Sequence, residues 1–186
     1  MQLFPMLKVS WLNGWIPLVG FYLVFGLLIW IFPKPVVSRL YERSGWSQRQ
    51  RIMTTLAKLV AVFLLLLMIF TPLKIGKPIF IAGMIIYALG FLGMIIALLD
   101  YKNTPLDQPV TRGLYRISRN PQWVTVTLAF AGICLTIGSW IALISLGVTV
   151  VLGHYRILAE EKACLTQYGD SYQQYMDQIP RYFLIF

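Results

Sequence analysis

Charge is scarce in this sequence. Only 12% of its 186 residues are Asp, Glu, Lys or Arg, and the acids number seven. A soluble domain carries roughly 25% charged residues, and half that supply cannot coat a globule of this size in water. Histidine occurs once, as His154, and cysteine twice, as Cys134 and Cys164. With no ligand spacing among them, they support neither a disulfide framework nor a metal site, so no metal is expected. No G-x-G-x-x-G fingerprint occurs. Disorder is excluded because it needs low hydrophobicity and high charge, whereas 58% of this chain is hydrophobic and its mean hydropathy is +0.70. What is left is an integral membrane protein.

Apolar runs are what the chain has in abundance. Five can be read, at about Trp11–Phe32, Ile52–Phe70, Pro78–Leu99, Trp123–Ile137 and Trp140–Leu158. The first three have close to the 20 residues that cross about 30 Å of hydrocarbon. The fourth is short for a full crossing and is joined to the fifth only by Gly138 and Ser139, a tight helical hairpin. The first run is too long for a signal peptide and lacks a small-residue cleavage site. The expectation is an all-α, polytopic protein of about five transmembrane helices with a small cytosolic helical cap. It reads as one membrane domain over 1–186, with spans one and two in 1–76 and a catalytic core in 77–186.

Five spans divide the basic residues unevenly. Lys8, Lys74 and Lys77 fall on the N-terminal side, and the other thirteen of the 16 lysines and arginines fall opposite. All seven acids, Glu42, Asp100, Asp107, Glu160, Glu161, Asp170 and Asp177, share the basic side. The positive-inside rule then puts the N-terminus outside and the C-terminus in the cytosol. The net charge of +9 reflects this topology, and no nucleic-acid partner is expected. The basic loop from Lys34 to Arg51 is read as lying on anionic headgroups. No ionisable residue sits near the centre of a span and no internal repeat is visible, which argues against a pump, channel or transporter.

The polar chemistry lies in two blocks. One runs from Asp100 to Trp123, broken by Pro105, Pro109 and Gly113, and ends at Asn120-Pro121, a cap and a first-turn proline for span four. The other begins at His154 and holds Arg156 and Glu160 at i,i+4. It continues through Glu161 to a stop at Gly169, then a last helix from Tyr172 to about Gln178 that Pro180 ends.

These blocks carry a resemblance. Val110-Thr111-Arg112-Gly113-Leu114-Tyr115, then Arg119-Asn120-Pro121, then Glu160-Glu161, then Tyr168-Gly169-Asp170-Ser171-Tyr172 and Ile179-Pro180-Arg181 follow in order. Over about residues 104–182 the chain resembles the integral-membrane methyltransferases of the isoprenylcysteine carboxyl methyltransferase and phospholipid N-methyltransferase superfamily. It departs from them at Asn120, where histidine is usual, at Trp123, where tyrosine is usual, and at Pro109, where leucine is usual.

The resemblance implies S-adenosylmethionine as cofactor. It implies contacts from Val110, Gly113, Tyr115, Asn120, Pro121, Glu160 and Glu161. His154 is added to that set, and either it or Glu161 could take a proton from an amine acceptor. Glu161 and Arg181 are the catalytic candidates, and Tyr172 and Arg181 the candidates for the substrate. The acceptor is expected to be lipid-embedded or a small hydrophobic molecule, and membrane lipids are the expected partners. A bacterial inner membrane is favoured, with the endoplasmic reticulum left open.

Two other readings stand beside it. A nicotinamide-dependent reductase of the sterol type would place Arg112, Arg116 and Arg119 on a cofactor phosphate, against the repulsion of Glu160-Glu161. A non-enzymatic accessory protein would use its tail to bind a partner. Gly83, Gly90 and Ala97, at seven-residue spacing, line either a groove for the acceptor or, as is more usual, a close helix contact.

Overall fold

The computed structural model describes residues 1–41 and 45–183. Glu42 and Arg43, counted above on the basic side, lie outside the described residues. Among the described residues the fold is all-α. The helices are α1 (Trp15–Ile31), α2 (Lys34–Leu40), α3 (Gln48–Phe70), α4 (Pro78–Lys102), α5 (Pro121–Thr136), α6 (Trp140–Tyr168) and α7 (Asp170–Gln178), with a 3₁₀ turn at Gly113–Arg116.

α3, α4 and α6 are long and apolar enough to cross a membrane, and α1 and α5 are shorter apolar helices. Their outward faces carry exposed leucine, isoleucine and valine, for example Ile81, Ile85, Leu89, Leu92 and Ile96 along α4. Such a stripe is what lipid, not water, would solvate.

Helix ends follow local chemistry. Ser47 and Gln50 form a reciprocal capping box at the start of α3, with Gln50 N donating to Ser47 Oγ at 3.3 Å and Ser47 N to Gln50 Oε1 at 2.8 Å. Ser139 caps α6 by accepting from Ala142 N at 3.2 Å. Gly138, at φ +64, makes the reversal between α5 and α6 that few other residues would allow.

The structure corrects two boundaries and bears out a third. Trp11 to Asn13 precede α1 in a non-helical strap, because Asn13 is buried and donates to the carbonyls of Lys8 at 2.6 Å and Ile69 at 3.1 Å. α6 runs on from the fifth apolar run to Tyr168, up to the stop expected at Gly169, so Glu160 and Glu161 are helical and project from a rigid element. The basic loop after the first span contains a short helix, α2, with Pro35 in its first turn.

α4 lies along α5, and α3 lies along α6. The α4–α5 seam is made by glycine. A Cβ added at Gly83 would stand 2.7 Å from Thr136 N, and one at Gly90 2.7 Å from Thr125 O. One at Gly132 would stand 2.6 Å from Tyr87 Cα. Gly83 and Gly90 are therefore used up in helix packing, and Ala97 is fully buried. They line no groove. α1 packs only lightly on α3 and α4, and this is what leaves room for the site.

Two ends of the bundle can be told apart. At one end the strap bonds to the turns after α3 and α5: Lys8 N donates to Phe70 O, Leu73 N to Leu12 O, and Gln2 N to Gly138 O. Lys8, Lys74 and Lys77 are here. The other end gathers α2, the 103–120 loop, the lower part of α6, and α7.

Candidate active site

The second end is organised by one buried carboxylate. Glu161 on α6 is 4% exposed, and the Arg119 side chain that meets it is 3% exposed. Arg119 Nε donates to Glu161 Oε1 at 3.0 Å, Asn120 Nδ2 to the same oxygen at 3.0 Å, and Arg181 Nε to Oε2 at 2.9 Å. Arg119 also donates through Nη1 to the carbonyls of Met176 and Ile179, both at 2.7 Å, and through its backbone N–H to Pro180 O at 2.9 Å. Glu161 thus ties the head of α5 to the segment after α7. A buried charge is tolerated only when paired and hydrogen-bonded in this way.

α7 folds onto the 3₁₀ turn. Tyr175 O–H donates to Tyr115 O at 2.7 Å, and Gln122 Nε2 donates to Tyr115 Oη at 2.9 Å. Burial pushes the phenols of Tyr115, Tyr172 and Tyr175 well above the ordinary tyrosine value, so they act as neutral hydroxyls. Gly113 permits the turn: its φ is +56, and an added Cβ would overlap the Asp100 carboxylate, which accepts from Leu114 N at 3.0 Å.

Above this clasp lies a cavity of about 570 Å³, within the ~300–1,000 Å³ usual for cofactor and small-ligand sites. It is graded. Asn120, Gln122, Arg156 and Glu160 make a polar stretch, while Phe21 and Phe25 of α1 and Val126 and Phe130 of α5 make an apolar one. Arg39 of α2 and Tyr168 line it as well. Arg156 Nε and Glu160 Oε1 are 2.6 Å apart and about one-third exposed. Glu160 Oε2 has no hydrogen-bond partner among the described residues. The indole N–H of Trp123, another wall residue, is buried and has no partner among the described residues.

The expected site residues divide. Val110, Tyr115, Asn120, Glu160, Glu161 and Tyr172 come together on the cavity wall. Gly113, Pro121, His154 and Arg181 are not on it. His154 Nδ1 instead pairs with Tyr182 Oη at 2.9 Å, where burial pushes the Tyr182 phenol up to about 12. Asn120 holds the N-cap position of α5 but makes no side-chain cap bond, its amide being turned to Glu161. Both oxygens of Glu161 already accept hydrogen bonds from neighbouring side chains, whereas Glu160 pairs through Oε1 alone. Arg112, Arg116 and Arg119 do not converge: Arg112 donates to Asn103 O, and Arg119 is bound up with Glu161.

Arg39, Trp123, Gln122 and the aromatic wall of α1 were not foreseen. The α1 and α2 residues lie far from the motif region in sequence, and no local pattern marks them. Gln122 and Trp123 stand inside the motif region, where their helical phase on α5 was the available clue.

A helical membrane bundle with a polar-to-apolar cavity at one end defines the class. The profile of the phospholipid methyltransferase family matches residues 56–171, well over half of the chain. The chain belongs to that family: it is a multi-pass membrane methyltransferase that uses S-adenosylmethionine. That membership decides for methyl transfer over the reductase and accessory-protein readings. Comparison with curated proteins and with solved structures gives no match.

Proposed function

We propose that the cavity is where a methyl group passes from S-adenosylmethionine to the polar head of a membrane amphiphile. The grading of its wall carries this reading. From Gln122 to Phe130 is eight residues of α5, about 12 Å of helix, and over that length the wall changes from amide and carboxylate to phenyl. An amphiphile matches such a gradient, and the thinly packed side between α1 and α5 gives its chain a way in from the bilayer.

The residues fit the cofactor. Glu160, with one carboxylate oxygen free, would hold its cationic groups through charge-assisted contacts. Trp123 supplies an unused donor, and Asn120 and Tyr115 border the same space. The bound cofactor supplies a methyl group already activated on a sulfonium. The protein's task is then alignment and exclusion of water. Glu161 acts through Arg119 and Asn120, as a positioning residue; Arg181 completes its pairing.

The same reading makes all five apolar helices cross the bilayer, with the strap outside and the clasp and cavity mouth in the cytosol. The thirteen-to-three division of basic residues supports it. α1 and α5 fall short of 30 Å. The backbone beyond their ends at the strap side is paired within the protein, as where Lys74 N donates to Thr136 O at 2.8 Å. The Arg119-Asn120-Pro121 variant favours a bacterial inner membrane.

The test is calorimetric titration of detergent-purified protein with S-adenosylhomocysteine, followed by transfer of labelled methyl groups into lipid vesicles. Binding weakened at least tenfold by Glu160→Gln, and label recovered in a lipid fraction, are expected. Absence of binding by the wild type over a wide concentration range would sink the reading.

A further inference from the structure

Arg39 lies on α2, outside the stretch that matches the family, yet it lines the cavity. The other cationic side chains of the wall are neutralised: Arg119 by Glu161 and Arg156 by Glu160. Arg39 has no carboxylate within ion-pair distance among the described residues. Uncharged groups hold it instead. Its Nη1 donates to Pro105 O at 3.1 Å and its Nη2 to Gln108 O at 2.8 Å. Its Cζ stands 5.0 Å from the Tyr101 ring centroid and 5.7 Å from that of Tyr168.

A guanidinium carries five N–H groups, and these carbonyls use two. Aromatic faces fix a cation in place without cancelling its charge for a ligand. Among the charged side chains that line the cavity, Arg39, Arg119 and Arg156 face the carboxylates of Glu160 and Glu161, an excess of one cation.

We propose that Arg39 is a specificity residue that receives the anionic group, phosphate or carboxylate, of the acceptor amphiphile. The assignment rests on the function proposed above. An anion in the cavity could also come from the cofactor's own carboxylate. That group shares a carbon with the cofactor's ammonium, for which Glu160 is the proposed partner, and Arg39 stacks on Tyr168, about two turns further along α6. The acceptor is therefore the better match.

Cys164 supplies a readout free of catalysis. It lines the cavity, while Cys134 is wholly buried. Full-length protein in a neutral maltoside detergent is alkylated with N-ethylmaleimide in the presence of dodecyl phosphate or of dodecanol. Protection is scored as the ratio to the unprotected rate of the same variant. Dodecyl phosphate is expected to protect at a concentration at least tenfold below that needed with dodecanol. Arg39→Gln should abolish that advantage and leave protection by dodecanol unchanged, and Arg39→Lys should keep most of it. Affinity for S-adenosylhomocysteine should stay within twofold in all three proteins.

An undiminished phosphate advantage in Arg39→Gln overturns the proposal, as does a lack of protection by either ligand. An equal loss for both ligands also overturns it, reducing Arg39 to a staple for α2. A parallel loss of S-adenosylhomocysteine affinity overturns it in favour of the cofactor's carboxylate. If no vesicle acceptor is methylated but the phosphate advantage depends on Arg39, the functional reading fails while the anion site stands.

Discussion

The two faces of α5 do opposite things with the same helix. Thr125, Ala129, Gly132 and Thr136 let α4 approach until backbone meets backbone. Trp123, Val126 and Phe130, further around the helix, border the cavity, and Phe130 reaches α1 through its ring, edge-on to Phe21 at 5.4 Å. In a bilayer, lipid tails are as apolar as leucine, so packing and close approach decide which helices join. Small residues closed one side of α5, and rings propped the other side open. The cavity is thus a consequence of where bulk was placed, and the seam gives it one rigid wall.

Both faces depend on the head of α5, so the largest effect is expected there. Glu161→Ala leaves Arg119 and Arg181 without their carboxylate. Breaking a buried pair by removing one partner costs about 3–5 kcal/mol. The thermal midpoint in detergent should fall sharply and cofactor binding should go with it. An unchanged midpoint would show that the clasp does not organise this end.

The seam comes next. Gly132→Val puts a branched side chain against Tyr87 N and Cα, which are backbone atoms that cannot swing aside. Overpacking of this kind costs about 1–3 kcal/mol or more. Gly147→Ala is the control, since an added Cβ there meets nothing within 4 Å. In a helix interior it should gain about 0.5–1 kcal/mol. If both variants shift the midpoint alike, the seam is no tighter than the open position on α6, and the contrast between the faces of α5 loses its basis.

Much of this was legible in the sequence, and for identifiable reasons. Helices with long apolar runs declare themselves by composition, so α3, α4 and α6 were expected within a few residues, with Gly169 marking the end of α6. The pairing of Arg156 with Glu160 follows from i,i+4 spacing alone. The adjacent glutamates were harder. Spacing puts Glu160 and Glu161 about 100° apart on α6, but only the folded chain shows that Glu160 pairs with Arg156 while Glu161 is bound by Arg119 and Arg181. The aromatic wall from α1 and the reach of Arg39 are tertiary, made by residues about 80 to 140 positions from the motifs they serve.

The cap that closes the cavity end should respond to alkali more gently than the seam responds to mutation. In the unfolded chain tyrosines ionise near pH 10, whereas burial keeps Tyr115, Tyr172 and Tyr175 protonated in the fold. Above about pH 10 the unfolded state binds fewer protons than the native one. Stability contributed by these phenols is therefore complete below that pH and declines as pH rises. Midpoints measured from pH 7 to 11 should hold until about pH 10 as far as these phenols are concerned and fall beyond it. Tyr175→Phe should start lower, having lost the bond to Tyr115 O, and fall less steeply. An identical slope in the two proteins would remove Tyr175 from the account.

The smallest effect sharpens the comparison most. Tyr87 sits in the seam, yet its hydroxyl crosses to the other side of the structure and donates to Pro17 O of α1 at 2.8 Å. It is a direct polar tie between the tight region and the loose one. Tyr87→Phe removes a single neutral hydrogen bond, worth about 1 kcal/mol, and leaves the ring stacked on Phe91 at 5.6 Å. The midpoint should barely move. Hydrogen exchange should accelerate in α1 around Phe21 and Phe25, where local opening needs little free energy, while amides of α5 between Ala129 and Gly132 keep their protection. Faster exchange on both helices would mean that α1 and the seam open as one unit, and that the cavity wall is as rigid as the packing behind it.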